Sequence, residues 1–411
     1  MVSQTETTTA MLTTTATMIV VPSIATQTIL VTTTAVSYVL STLTVSVGCG
    51  SVITEDTTLN TNIGPCSGNG IVVDANGITL NCAGHTISGM NTIFSVGVSL
   101  SGRTRVTMKD CHVVEFWFGF ALSNSSSDTF TDNSANSNRA GFEITTNSSS
   151  FSENTAENNT ADGFDVYDSS GTTFATNTAN NNGGNGFSLY NSSIDTITGG
   201  TANYNANYGF FLDGATTSNT FTGNTADNNS WSGYWISSSG NKLTDNTANS
   251  NHVNGFGIDD SFSNTLTTNT ANSNHGCGFI IENSTDDTFS GNMADSNNYT
   301  GFGLYSSGSN ILSGNTASHN VYDGFLLDNS SDSNTFNTNT ANNNKQYGFD
   351  IVISSINIFN TNTANNNKQY GYYDQSTGSG TLGTANFYIG DECSGNGVGG
   401  SSPSGLGTSQ S

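Results

Sequence analysis

Gly163-Phe164-Asp165-Val166 opens a stretch that runs through Phe174 and Ala179 to Asn182. Gly186-Phe187-Ser188-Leu189 then opens the same stretch again, 23 residues further on. Working outward in both directions, the Gly-aromatic step recurs at Gly119-Phe120, Gly141-Phe142, Gly209-Phe210, Gly233-Tyr234 and Gly255-Phe256. It continues at Gly278-Phe279, Gly301-Phe302, Gly324-Phe325, Gly348-Phe349 and Gly371-Tyr372, always at intervals of 22 to 24 residues. Weaker starts stand at Gly70-Ile71 and Gly97-Val98. Self-similarity at such a period marks a solenoid, in which each unit buries its apolar face only against its neighbours.

Each unit has one anatomy. Two positions after the aromatic comes an apolar residue, as at Leu122, Ile144, Val166, Leu189, Leu212 and on to Ile351. A period of two places both residues on one face of a strand. After a Ser/Asp/Gly turn a second inward residue follows, from Phe130 and Phe151 to Phe336 and Phe359. Five residues later an Ala recurs, and three residues past each such Ala stands an Asn, eleven times in eleven, from Asn138 to Asn367. Asn caps its own backbone, tolerates left-handed conformations and stacks into amide ladders. Asn, Thr, Ser and Gly are poor helix formers, and leucine-rich or helical repeats lack this pattern. The reading is an all-β, right-handed parallel β-helix of about fourteen coils. It divides into a Thr-rich extended or stalk segment (1–47), an N-terminal cap and first coil (48–96), repeats (97–385) and a C-terminal end with a Gly/Ser-rich tail (386–411).

Composition supports a thin-cored repeat over disorder. Only 33% of the 411 residues are hydrophobic and 9% charged, yet 23 Phe and 14 Tyr need burial. The net charge of −24 repels phosphate, so nucleic acid and anionic membranes are excluded as partners. Neutral glycans, Ca²⁺ and basic or cell-surface partners fit that charge. No run of 18 apolar residues exists, so no transmembrane helix is expected. Four of six cysteines, Cys49, Cys66, Cys82 and Cys111, fall close together, which fits two disulfides in an oxidising compartment. Their pairing is open at this level, and buried free thiols are the alternative. Eight Asn-x-Ser/Thr sequons suit an extracellular or cell-surface protein, and equally suit ordinary turn chemistry.

Gly77-Ile78-Thr79-Leu80-Asn81-Cys82-Ala83-Gly84-His85-Thr86-Ile87-Ser88-Gly89 resembles the opening coil of right-handed parallel β-helix repeat proteins. The recurring Gly-Phe-x-Leu … Asn-Thr-Ala-x-x-Asn coil is similar to the NosD-like and carbohydrate-binding/sugar-hydrolase group of that superfamily, over about residues 49–395. Its members include pectate lyases, polygalacturonases, epimerases, tailspike-like depolymerases and surface proteins. The resemblance therefore implies the fold and leaves the activity open. Lyase-like members use a basic residue as base, and none follows a Gly-aromatic step here. Asp259-Asp260 and His275-Gly276 are similar to polygalacturonase segments, but Ala248 stands where that pattern needs Asp, and no Arg-x-Lys follows.

Outward positions give the candidate site. One row reads Glu143, Asp165, Ser188, Phe211, Trp235, Gly257; the next reads Tyr167, Tyr190, Asp213, Ser237, Asp259, Glu282. Row neighbours lie ~4.8 Å apart. Glu143/Asp165 and Asp259/Glu282 then form stacked carboxylate pairs, suited to a retaining glycosidase, to Ca²⁺, or to a plain solvated face. Phe211 and Trp235 form an aromatic platform for sugar rings, with Asp213, Asp259 and Glu282 accepting hydroxyl bonds; a covering loop is the alternative occupant. No catalytic set emerges. The expected function is a non-enzymatic surface protein in attachment or carbohydrate binding. A polysaccharide-degrading hydrolase or lyase, or a spacer without ligand, are the alternatives.

Overall fold

The computed structural model describes residues 47–408. The expectation for the Thr-rich segment lies, apart from Val47, outside the described residues. Gly48 onward forms one compact unit. It is all-β, with one short 3₁₀ turn at Thr381–Gly383 among the described residues.

Every coil contributes to three faces. The first face is a sheet of 16 strands and the second a sheet of 15, both with strands in simple chain order. The third is strand-paired at its two ends and linked between them by single parallel bridges at Thr155, Thr178, Thr201, Thr225, Thr247 and Thr270. All pairings of named strands are parallel and align the repeat, for example Phe164↔Phe187 and Val166↔Leu189, with one shift after Ile144 where Thr146 pairs with Ser125. The Gly-aromatic step opens each central strand of the first face, such as Phe164–Tyr167 and Phe187–Tyr190.

The inward aromatics stack along the axis. Phe142, Phe164 and Phe187 lie at 4.6 Å centroid spacing with nearly parallel rings, and the second-face rings meet them edge-on, as Phe174 does Phe164. Each is fully buried, worth ~1.5–3 kcal/mol. The core is thin because glycine touches alanine across it. A Cβ added to Gly209 would sit 2.7 Å from the Cβ of Ala226 and 2.7 Å from the carbonyl oxygen of Gly233. That close approach explains why both the Gly and the Ala repeat.

The Asn row forms the expected ladder. Asn251 Nδ2 donates to Ala226 O in the coil before (2.9 Å) and to Asn274 Oδ1 in the coil after (3.1 Å). Its own Oδ1 accepts from the N–H and Nδ2 of Asn229. Two further buried rows run parallel to it. One passes through Asn133, Asn154 and Asn177, breaks at Gly200, and resumes from Asn224 to Asn362. The other, two residues before the second inward position, includes Asn219, Asn241, Asn264, Asn310, Asn334 and Asn357, with Asp195 and Asp287 among them.

The ends differ from the middle. The disulfides are Cys49–Cys66 and Cys82–Cys111, both in the first coils; Cys277 and Cys393 are buried free thiols. At the C-terminus regular structure runs past the expected start of the tail. Glu392–Ser394 joins the third face and Gly399–Ser402 the first. Gly400 and Gly407 make this possible, because Cβ atoms there would meet Cys393 Sγ at 2.7 and 3.0 Å. Six sequon asparagines, Asn124, Asn158, Asn191, Asn228, Asn283 and Asn329, adopt positive φ at corners, which is turn chemistry.

Candidate functional site

The first face carries both outward rows, and the parallel register places them as the repeat requires. Glu143 pairs with Asp165, Phe211 with Trp235, and Asp259 with Glu282. Asp213 lies opposite Ser237. Phe211, Asp213, Trp235, Asp259 and Glu282 are all partly buried rather than open.

The cover comes from the corner preceding each strand. Tyr208 stacks on Phe211 (5.3 Å) and lies 5.9 Å from Trp235; Trp231 meets Tyr208 edge-on at 5.5 Å. Tyr190 extends the cluster to Phe211 at 5.7 Å, and Tyr167 stacks on Tyr190 at 5.1 Å. Trp231 is the open member, 51% exposed. The platform is thus a cluster of Tyr190, Tyr208, Phe211, Trp231 and Trp235 in which Tyr208 packs on Phe211 and Trp235, and Trp231 packs on Tyr208. Tyr208 and Trp231 were missed in the sequence because they sit one and two residues before the Gly-aromatic step, outside the strand rows. Trp235 lies over Gly257, where an added Cβ would come within 2.3 Å of Cε3, and its Nε1 donates to Ser237 Oγ at 3.1 Å. Gly257 is therefore the seat of the indole.

Acidic groups flank the rings on both sides. Toward the N-terminus, Tyr167 donates to Asp165 Oδ2 (2.9 Å), and Ser188 Oγ donates to Asp162 Oδ2 (2.6 Å). Burial, then the neighbouring Asp162, push the Asp165 carboxyl up to about 7, and its Oδ1 is buried without a partner. Glu143 is raised chiefly by burial, with Arg139 opposing. Burial and the nearby Asp162, Asp165 and Asp213 raise the Tyr190 phenol to about 12. Toward the C-terminus, burial and the neighbouring Asp260 raise Asp259, and burial with Asp259 and Asp260 raises Glu282. Asp259 also adds to the burial that raises Tyr208, so this acid strip adjoins the rings.

The profile described as "Periplasmic copper-binding protein (NosD)" matches residues 42–231 and 233–396. This chain belongs to the NosD family. No curated protein sequence matches the NosD-family chain. Among solved structures it is similar to the Azotobacter vinelandii mannuronan C-5 epimerase AlgE6 A-module at 14% identity and a TM-score of 0.47, covering 75% of this chain and 90% of that one. It is also similar to the periplasmic alginate epimerase AlgG at 15% identity and a TM-score of 0.44, covering 69% and 76%.

Copper prefers several imidazole, thiolate or thioether donors. Among the described residues no group of three or more His, Cys, Asp or Glu is gathered to hold a metal. The His252 and His275 rings meet in adjacent coils at 4.9 Å, which supplies two donors only. The donor set of the described residues of this NosD-family chain does not fit a copper centre, and no chemistry is derived through one.

Proposed function

We propose that this chain is an exported β-helix that binds neutral carbohydrate on its first face, in attachment or glycan recognition. The observation that carries the reading is the ring cluster of Tyr190, Tyr208, Phe211, Trp231 and Trp235, bordered by carboxylates on both sides. Sugar C–H faces pack on such rings, and Asp213, Asp259 and Glu282 accept hydroxyl bonds. An uncharged ligand escapes the repulsion of the −24 chain. Two disulfides and the family's periplasmic description support export. Calorimetric titration with neutral oligosaccharides tests the reading. Trp231→Ala and Trp235→Ala should each weaken binding at least tenfold while preserving the fold. Unchanged affinity in both would leave the spacer reading.

A second reading has its own observation. Asp165, poised at about 7, stands in register with Glu143. A protonated and an ionised carboxyl side by side are what acid–base cleavage of a glycosidic bond requires. Release of reducing ends from a glycan panel, lost in Asp165→Asn, would support hydrolysis. Ca²⁺ at Asp259/Glu282 is separable from both: Asp259→Asn should abolish Ca²⁺ binding and spare the glycan.

A further inference from the structure

The buried row two residues before each second-face inward position is an amide ladder from Asn219 onward, interrupted there by Asp287. Before Asn219 it reads Asp128, Ser149, Thr172 and Asp195, and Asp128 shares with Asp195 and Asp287 a buried Oδ2 without a partner. In the row, Asn219 Nδ2 donates to Ser192 O (3.1 Å) and to Asn241 Oδ1 (3.3 Å); Asn334 Nδ2 likewise donates to Ser307 O and Asn357 Oδ1. Asp195 and Asp287 hold the same places. Their Oδ1 atoms do what an Asn oxygen does: Asp195 Oδ1 accepts from the Thr172 N–H at 2.7 Å, and Asp287 Oδ1 from the Asn264 N–H at 2.6 Å. Their Oδ2 atoms stand where the neighbours carry Nδ2, and both are buried without a partner. By the repeat, each Oδ2 faces a carbonyl oxygen of the preceding coil and an amide oxygen of the following one. In an ionised carboxylate that Oδ2 would confront two acceptors with no donor, in a site closed to water.

We propose that Asp195 and Asp287 stand in this ladder as neutral carboxylic acids, each donating its own proton where the other members donate an amide N–H, so that ionising them loosens the middle of the solenoid.

The surroundings agree. Around Asp195 are Thr172 and Asn219 along the row and Ser169 and Ser192 beside it, all uncharged. Around Asp287 are Asn264, Asn310 and Ser284; its chain neighbour Asp286 is the one charged group acting on it and also opposes ionisation. Burial is the leading cause that raises Asp195 to about 6 and Asp287 to about 7. Asp391 marks the contrast at the open end of the adjoining ladder. Its Oδ2 accepts from the Ile389 N–H at 3.1 Å, so that carboxylate has donors for both oxygens.

The sign follows from the raised values. A carboxyl whose folded pKa lies above its unfolded value stabilises the fold below the unfolded pKa, and that contribution is lost as pH rises through the folded one. Stability from these two sites is therefore complete in acid and disappears between about pH 4 and 7.

The test exchanges one atom per site. Asp195→Asn with Asp287→Asn completes the ladder with a permanent donor, while Asp132→Asn with Glu153→Gln removes the same charge from exposed corners. Melting is followed from pH 4.5 to 8.5. The ladder variant should melt with the wild type in acid and above it beyond pH 7, and the corner control should follow the wild-type profile. Infrared spectra at pH 5.5 should show a protonated-carboxyl band that is weaker in the ladder variant than in the wild type, since Asp165 and Asp350 keep part of it. A ladder variant whose melting profile matches that of the corner control, or whose protonated-carboxyl band is as strong as the wild type's, overturns the proposal.

Discussion

At the scale of single residues, the Asn ladder and the seat of Trp235 are the two most exposed claims. Removing Asn251 strips the Asn229 N–H and Nδ2 of their acceptor and Ala226 O and Asn274 Oδ1 of a donor, all in a dry corner. Asn251→Leu should therefore destabilise by on the order of 3 kcal/mol, read as a lower denaturation midpoint. A midpoint equal to wild type would reduce the ladder to a turn preference. Gly257 carries a different burden. Its missing side chain lets the indole of Trp235 lie flat on the next coil. Gly257→Ala should lift that ring, shift tryptophan emission toward the red and weaken glycan binding, with little change in the melting temperature.

At the scale of the element, each coil is held by the contact of its Gly with its Ala. The first-face strand can approach the third face only because position 209 has no side chain and Ala226 opposite it has a short one. Gly209→Ala brings a Cβ to 2.7 Å from two atoms, one of them the backbone oxygen of Gly233, which cannot rotate away. The expected cost is roughly 1–3 kcal/mol of overpacking. A variant as stable as wild type would mean that the coil can widen. The corners belong to this scale as well. Non-glycine residues take positive φ once or more in nearly every coil, for example Asn181, Tyr204 and Asn228. Ser, Asn and Asp dominate these corners because they bear that conformation at least cost.

At the scale of the whole molecule, stability is local, since each coil touches only its neighbours. The N-terminal coils have two disulfides, closing loops of 17 and 29 residues. Cys82→Ser with Cys111→Ser should cost roughly 3 kcal/mol there. Hydrogen exchange should quicken in the strands from Ile71 to Lys109 and stay unchanged in Phe302–Tyr305 and Phe325–Asp328. Uniform loss of protection along the chain would instead show one cooperative unit.

How much of this was legible follows from the period of the chain. Gly-aromatic spacing, the apolar residue two positions on, and the Asn after each Ala state the strand, its inward face and its corner, because each depends on chemistry local to one coil. The register of Phe211 with Trp235 and of Asp259 with Glu282 follows as well, since equal coils must stack in phase. Of the other two polar rows, one stands in the Asn-Thr-Ala motif and the other stands two residues before the second inward residue, and neither reveals its consequence in the sequence. An Asp at position 195 looks like any corner acid until the coils above and below remove its water and face it with acceptors. The cover over the platform was equally hidden. Tyr208 and Trp231 lie on corners, where no strand alternation assigns a direction, and only the folded corner turns Tyr208 onto Phe211 and Trp235 and Trp231 onto Tyr208. Periodicity settles what points inward; whether an outward group meets water depends on the neighbouring corner, and that is decided in three dimensions.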